Sequence, residues 1–472
     1  MDPEFRTHAH EIVDWIADYL EGIERYPVMA QVQPGEIRER IPSSPPTLGE
    51  SFDVLMKDFT SDILPGITHW QHPSFFAYFQ ANSSPPSLYA EMLTAALGAQ
   101  CMSWVTSPAA AELEERMMQW LREMLGLPAA WDGVIQDTGS TSTLCAILTA
   151  REAHSRHEIN RRGFTHADHF VVYCSSEAHS SIEKAVRIAG IGRENLRRIG
   201  VDEKFSMRPE LLEDAIRQDA VAGLVPLCVI DALGTTGSLA VDPLEAVGAV
   251  AKRHGLWLHV DAAYAGTALV LPEFRHLLKG IEFADSFVVN PHKWMFTNFD
   301  CSAYFVRDRN VLIRTFEILP EYLKTRETQQ VNNYRDWGIQ LGRRFRALKL
   351  WFVIRTYGVE GIQSRVRNHI AMAQELAEVI RKERDFEILA PVWCNVICFR
   401  YCPDPSLERE RVNALNIALM DRLNASGLLY LTHTKLEGKT TLRLVIGQTS
   451  VDRRHLTSAW ATILRVARER VP

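Results

Sequence analysis

Three short segments of this 472-residue chain carry side chains suited to amine chemistry: Ala178-His179-Ser180-Ser181, His259-Val260-Asp261-Ala262-Ala263-Tyr264 and Asn290-Pro291-His292-Lys293-Trp294. A lysine amine attacks a carbonyl only when unprotonated, so a catalytic lysine needs surroundings that disfavour its ammonium form. Lys293 follows an apolar run and precedes Trp294, which desolvates it in part. Asp261 closes another apolar run, so a carboxylate and an amine can converge on one crevice. A structural ion pair between the two fits the spacing equally well. A fourth segment, Asp137-Thr138-Gly139-Ser140-Thr141-Ser142-Thr143, precedes the apolar stretch LCAILTARE. Glycine permits close backbone approach, and hydroxyl residues at a helix start make an anion site, although such caps also occur without a ligand.

These residues need a scaffold, and the surrounding pattern supplies one. Between Ser84 and Tyr357 the strand-like runs HFVVYC (169–174), GLVPLCVI (223–230), LWLHVDA (256–262) and SFVVN (286–290) alternate with helical patterns. Short apolar runs separated by helices predict βαβ units: an α/β domain over 84–357 with a mostly parallel sheet flanked by helices. Ligands of such sheets bind beyond the carboxyl ends of the strands, which is where His179, Asp261 and Lys293 fall. Upstream, Ile12, Val13, Ile16, Tyr19, Leu20 and Ile23 recur at helical spacing, and a Pro-rich connector follows (Pro34, Pro42, Pro45, Pro46). Residues 1–83 therefore read as an N-terminal helical arm whose stripe is buried against another subunit. After Gly358 a helix (Val366 to Lys382), two strand-like runs (Cys394 to Tyr401 and Thr441 to Ile446) and a terminal helix predict a small C-terminal α+β domain over 358–472.

Composition narrows the function classes. With 46% hydrophobic and 23% charged residues the chain reads as an ordinary soluble globular protein, and a net charge of -6 gives no electrostatic case for nucleic acid. No apolar run has the length of a membrane span, and the N-terminus opens on a charged helical pattern instead of a signal-peptide core. None of the eight cysteines forms a C-x-x-C pair, and Cys394, Cys398 and Cys402 share one face of a strand, so buried thiols are expected and no metal site is. Sparse cysteine predicts a reducing, cytoplasmic location.

The decisive pattern is NPHKW together with His69-Trp70, Phe75-Phe76-Ala77-Tyr78-Phe79, Ser107-Pro108, HVDAAYAG, PEFRHLLKGIEFADSF, Asn298-Phe299-Asp300-Cys301 and LGRRFRALKLWFV. In these stretches the chain resembles the PLP-dependent transferases of fold type I, and specifically the group II decarboxylases that include aromatic-L-amino-acid decarboxylase. The resemblance implies pyridoxal 5'-phosphate (PLP) in a Schiff base with Lys293. It implies that Asp261 bonds the protonated pyridine nitrogen, that His179 stacks on the ring, and that Ala263 and Thr236 lie against it. It places the phosphate in the loop holding Gly139 and Ser140, helped by Asn290 and His292; Asp137-Thr138 and Thr141-Ser142 depart here from the animal enzymes. Tyr322, in Pro320-Glu321-Tyr322-Leu323-Lys324, matches the residue that returns a proton to Cα.

For the substrate, the resemblance points to Trp70, Tyr78, Phe79, Met102 and Gly342, although core packing accounts for any single aromatic as well. Met102 stands where animal enzymes carry Phe, and Gly342 where relatives preferring smaller rings carry Ser. The implied reaction is decarboxylation of an aromatic L-amino acid (tyrosine, Dopa, phenylalanine or tryptophan type) to the amine and CO2 by a homodimer with shared active sites. An aromatic aldehyde synthase or an aminotransferase shares the Lys293 and Asp261 framework, but His179 and Tyr322 favour simple decarboxylation.

Overall fold

The computed structural model describes residues 3–318 and 330–469, and the chain divides into two compact units. One comprises Ala81–Ala371 with Ala390–Val396; the other comprises Met1–Gln80, Met372–Leu389 and Ile397–Pro472.

The first unit is built on a seven-stranded sheet: β1 (Asp132–Gln136), β2 (Phe170–Ser175), β3 (Leu196–Ile199), β4 (Val225–Ala232), β5 (Trp257–Asp261), β6 (Ser286–Val289) and β7 (Ser302–Val306). Their order in space is β1-β7-β6-β5-β4-β2-β3. β2 to β6 are parallel, and β7 runs antiparallel to both β6 and β1, so β1 shares the common direction. The four strand-like runs read from the sequence are β2, β4, β5 and β6. All six residues of β2 are buried, as expected for a strand covered on both faces, where alternation gives way to a continuous apolar run. On one face the helices Gly139–Ser155 and Ser181–Ile188 pack Ile147, Ala150, Ile182 and Val186 against Val172, Cys174, Cys228 and Ile230. The helices Pro209–Val221 and Leu244–Arg253 also pack on the sheet, along β3 to β5. The remaining helical stretch of interest, Arg346–Arg381, is broken at Gly358, whose φ of 64° and ψ of 171° lie outside the helical region and suit glycine.

The second unit contains a four-stranded sheet of β8 (Phe386–Ile388), β9 (Val396–Tyr401), β10 (Thr432–Leu436) and β11 (Lys439–Val445), in the order β10-β11-β9-β8. Trp460 of the terminal helix Arg453–Arg468 packs edge-on against Phe386 and Phe399 of this sheet. Its N-terminal helix, Phe5–Glu21, buries none of its side chains fully, and Phe5, Ile12 and Val13 are 61%, 40% and 48% exposed. All eight cysteines are buried and unpaired, and no group of metal-ligating side chains occurs among the described residues. No described helix is long and apolar enough to cross a membrane.

Candidate active site

Five strands that run in one direction deliver their following residues to a single sheet edge. β1 leads into Asp137–Ser140, β2 into His179, β4 into the Gly234–Gly237 turn, β5 ends on Asp261, and β6 leads into Asn290–Lys293. One backbone bond ties the ends of β5 and β6 together, and two further bonds shape those ends. The Asn290 amide donates to the Ala263 carbonyl at 3.0 Å, the Lys293 amide to the Asn290 carbonyl at 2.9 Å, and the Ala263 amide to Asp261 Oδ1 at 3.1 Å.

Lys293 sits on the one-turn helix Pro291–Trp294. Trp294 anchors that turn in the core: its ring stacks on Tyr264 with centroids 5.3 Å apart, and its Nε1 donates to His369 Nδ1 at 2.9 Å. Burial lowers the Lys293 ammonium pKa, and the nearby Asp261 carboxylate opposes that shift. The pair is thus within electrostatic reach, and the balance leaves more neutral amine at neutral pH than a free lysine would hold. A structural ion pair alone would have pushed the lysine upward.

The anion-binding end is equally specific. Thr138 caps the helix Gly139–Ser155, its hydroxyl accepting from the Thr141 amide at 3.4 Å. The amides of Gly139 and Ser140, the first two of this 17-residue helix, have no acceptor among the described residues and point the positive end of the helix dipole outward. A Cβ on Gly139 would lie 3.0 Å from Asn290 Nδ2 and 3.6 Å from the Ala263 methyl, so Gly139, Ala263 and Asn290 form one narrow cradle. Asn290 is held in place because Ser302 Oγ donates to its Oδ1 at 2.7 Å. His292 Nδ1 accepts from the Cys301 amide at 2.9 Å, which leaves Nε2 as the protonated nitrogen of the neutral ring. Burial first, and Lys293 second, push His292 down to about 3, so it is neutral.

His179 Nδ1 accepts from the Ser181 amide at 3.2 Å and lies 2.8 Å from the Ser181 hydroxyl, which again assigns the ring proton to Nε2. The ring is exposed, yet the protein around it lowers its pKa by desolvation, with Asp261 opposing and Lys293 adding to the shift. His179, Asp261 and Lys293 therefore share one electrostatic neighbourhood. Thr236 is half-buried in a turn whose Gly234 has a φ of 99° and whose added Cβ would meet Ala265 at 2.6 Å. A primary amine of lowered basicity, a carboxylate beside it and an anion cradle with free amides fit a phosphorylated aldehyde cofactor carrying a basic ring nitrogen.

Met102 and Gly342 are brought together: the Cys101 amide donates to the Arg343 carbonyl at 3.0 Å, and a Cβ on Gly342 would lie 3.3 Å from Gln100 Nε2. Trp70, Tyr78 and Phe79 belong to the other unit, where Trp70 stacks on Tyr78 (5.7 Å) and the Arg443 guanidinium lies over the Phe79 ring. Tyr322 lies outside the described residues. Sequence reasoning missed Ser302, which orients Asn290, and Asn82, whose amide and side chain bond the His292 and Lys293 carbonyls at 2.9 and 2.5 Å. The only signal was the polar run Ala81-Asn82-Ser83-Ser84, whose partners are more than two hundred residues away.

The model for the pyridoxal-dependent decarboxylase conserved domain matches residues 34–402. Tryptophan decarboxylase 2 of Oryza sativa subsp. japonica is 43% identical over 98% of this chain and 94% of its own length. Phenylacetaldehyde synthase of Arabidopsis thaliana is 44% identical over 98% of this chain and 96% of its own length. A crystal structure of Oryza sativa TDC with PLP and tryptamine superposes with a TM-score of 0.96 at 38% identity, covering 99% of this chain and 98% of that one. A family match over most of the chain, carried at this identity and on this geometry, means that the chain belongs to the pyridoxal-dependent decarboxylases.

Proposed function

We propose that this protein is an aromatic-L-amino-acid decarboxylase that converts substrates of the tyrosine, Dopa, phenylalanine or tryptophan type to the amine and CO2. The observation that carries the reading is the convergence of Lys293, Asp261 and His179 on one sheet edge beside the Gly139–Ser140 cradle, in a chain alike throughout to a tryptophan decarboxylase. Bound PLP supplies an aldehyde that condenses with amines and a pyridine ring that accepts the electrons left when CO2 departs.

The chain's own residues do the rest. Lys293, its amine less basic than usual, is the group that would hold the cofactor through its aldehyde. The Asp261 carboxylate keeps a proton on the pyridine nitrogen. Gly139 and Ser140 bind the phosphate through their amides, framed by Asn290 and His292, while Ala263 and Thr236 support the ring. Neutral His179 stacks on the ring and orients the substrate. Tyr322 delivers the proton to Cα. The aromatic side chain of the substrate is assigned to Trp70, Tyr78, Phe79, Met102 and Gly342.

The working form is a homodimer with shared active sites, the N-terminal segment 1–83 serving as the dimerisation arm beside a large domain 84–357 and a small one 358–472. The unburied apolar residues of the Phe5–Glu21 helix support this. A cytoplasmic location is in keeping with eight unpaired cysteines. The alternative, an aromatic aldehyde synthase, is favoured by the likeness to the Arabidopsis enzyme. Steady-state kinetics on phenylalanine, tyrosine, Dopa and tryptophan, with amine, CO2, aldehyde and peroxide quantified together, test the reading. Amine and CO2 in equal amounts support it; aldehyde and peroxide as main products replace it with the alternative.

A further inference from the structure

The segment that carries Gly342 is laced to the strand that delivers the phosphate loop. Gln136 Nε2 donates to the Trp337 carbonyl at 3.0 Å, and the Arg343 guanidinium donates to the Ile135 carbonyl at 2.7 Å and to Glu114 at 2.6 Å. The Arg335 amide donates to the Met102 carbonyl at 2.9 Å. In the middle of this lacing, Gln340 Nε2 donates to Asp137 Oδ2 at 2.5 Å. The other oxygen of the same carboxylate, Oδ1, accepts from the Thr138 amide at 2.5 Å and from its hydroxyl at 3.3 Å. One half-buried carboxylate thus bridges the cap of the phosphate helix and the segment of Gly342: two residues beyond Asp137 is Gly139, and two beyond Gln340 is Gly342.

A carboxylate is the wrong charge beside a phosphate, because it competes for the positive end of the same helix. Its contribution here must therefore lie in geometry, through the hydrogen bonds it accepts from both sides. We propose that Asp137 and Gln340 are a positioning pair that ties the phosphate loop to the substrate wall at Met102 and Gly342, so that cofactor affinity and choice of aromatic ring are set together. The inference rests on the assignment of the phosphate to Gly139 and Ser140 and of the substrate ring to Met102 and Gly342.

The test uses the full-length enzyme, with PLP affinity measured by titration of the cofactor's absorbance and fluorescence, and kcat/KM compared for tryptophan and tyrosine. Gln340→Glu sets two carboxylates against each other; PLP affinity falls on the order of tenfold and the tryptophan-to-tyrosine ratio shifts several-fold in parallel, the scale expected for losing a charged hydrogen bond. Adding Asp137→Asn restores a donor and an acceptor with the direction reversed, and returns both quantities to within about threefold of wild type. A role confined to local packing predicts a loss that the second substitution does not repair, and that result overturns the proposal. So does unchanged PLP affinity in Gln340→Glu while the wild type binds PLP and decarboxylates, an outcome that leaves the functional reading standing. A wild type that does not bind PLP overturns both.

Discussion

β4 and β5 carry acidic residues one step apart in register and opposite in fate. Ala232 pairs with Asp261, while its neighbour Asp231 pairs with Val260, so strand alternation turns Asp261 and Asp231 to opposite faces of the same sheet. Asp261 is half-buried, accepts the Ala263 amide and lies within electrostatic reach of Lys293. Asp231 is fully buried, and neither of its oxygens has a hydrogen-bond partner among the described residues. Beside it Asp242 accepts the Ala232 and Met207 amides, yet burial still pushes Asp242 up to about 7, and Asp231 shifts upward with it. An unpartnered buried charge is too unfavourable to keep, so Asp231 is held as the neutral acid. The difference teaches that residue type decides little: Asp261 has the Ala263 amide and the Lys293 amine to interact with, and Asp231 has no hydrogen-bond partner among the described residues.

The largest expected effect lies on the Asp261 face. Lys293→Ala abolishes turnover, and borohydride treatment no longer fixes pyridoxal covalently to the protein; retention of fixed pyridoxal would remove Lys293 from its role. Next, Tyr322→Phe lowers amine formation by about 10²–10⁴, the span of a lost general acid. In air, carbon is then diverted to aldehyde, with O2 consumed and ammonia and peroxide released. Assays with and without oxygen check this, and an unchanged amine rate without aldehyde shifts the donor role to His179 or to a water it holds.

Asp261→Asn against Asp231→Asn sharpens the comparison directly. The first lowers kcat by more than about tenfold, since an amide does not stabilise a protonated ring nitrogen. The second leaves kcat/KM within about threefold and acts on stability instead. Acids raised in the folded state bind more protons there than when unfolded. Such an acid contributes stability that is complete below about pH 4 and is lost as pH rises through its raised folded-state pKa, about 7 for Asp242, at up to about 1.4 kcal/mol per pH unit. As pH rises above about 4 the wild type should therefore lose stability relative to Asp231→Asn, read in denaturant titrations over a series of pH values. Parallel pH profiles would mean that Asp231 is ionised and compensated after all. The smallest effect is that of Gly342→Ser. Its new Cβ meets only the flexible end of Gln100, so folding is spared and kcat/KM on tryptophan falls about two- to fivefold relative to tyrosine. An equal loss on both would make the position structural.

Much of the fold was legible because its central strands are buried on both faces and read as continuous apolar runs, as in β2 and β4. β3, Leu-Arg-Arg-Ile, was not legible, since an edge strand needs no such run. β7 was hidden for another reason: Ser302-Ala303-Tyr304-Phe305-Val306 follows the site segment closely and reverses the sheet direction, which no βαβ rhythm announces.

The sequence by itself determined which residues are available for chemistry and where they stand along their strands: Lys293 behind β6, Asp261 at the end of β5, a hydroxyl-rich helix start behind β1. These are local facts, set by periodicity and by caps a few residues long, whereas the strand β1 ahead of that helix start came only with the structure. Only the tertiary structure decided the environments. Burial lowers Lys293 but raises Asp242, Asp231 is left without a hydrogen-bond partner among the described residues, and the fold turns Asp137 from a neighbour of the anion site into a bridge to Gln340, more than two hundred residues away. Desolvation and hydrogen bonding depend on which atoms the folded chain brings within a few ångströms, and sequence spacing does not carry that distance.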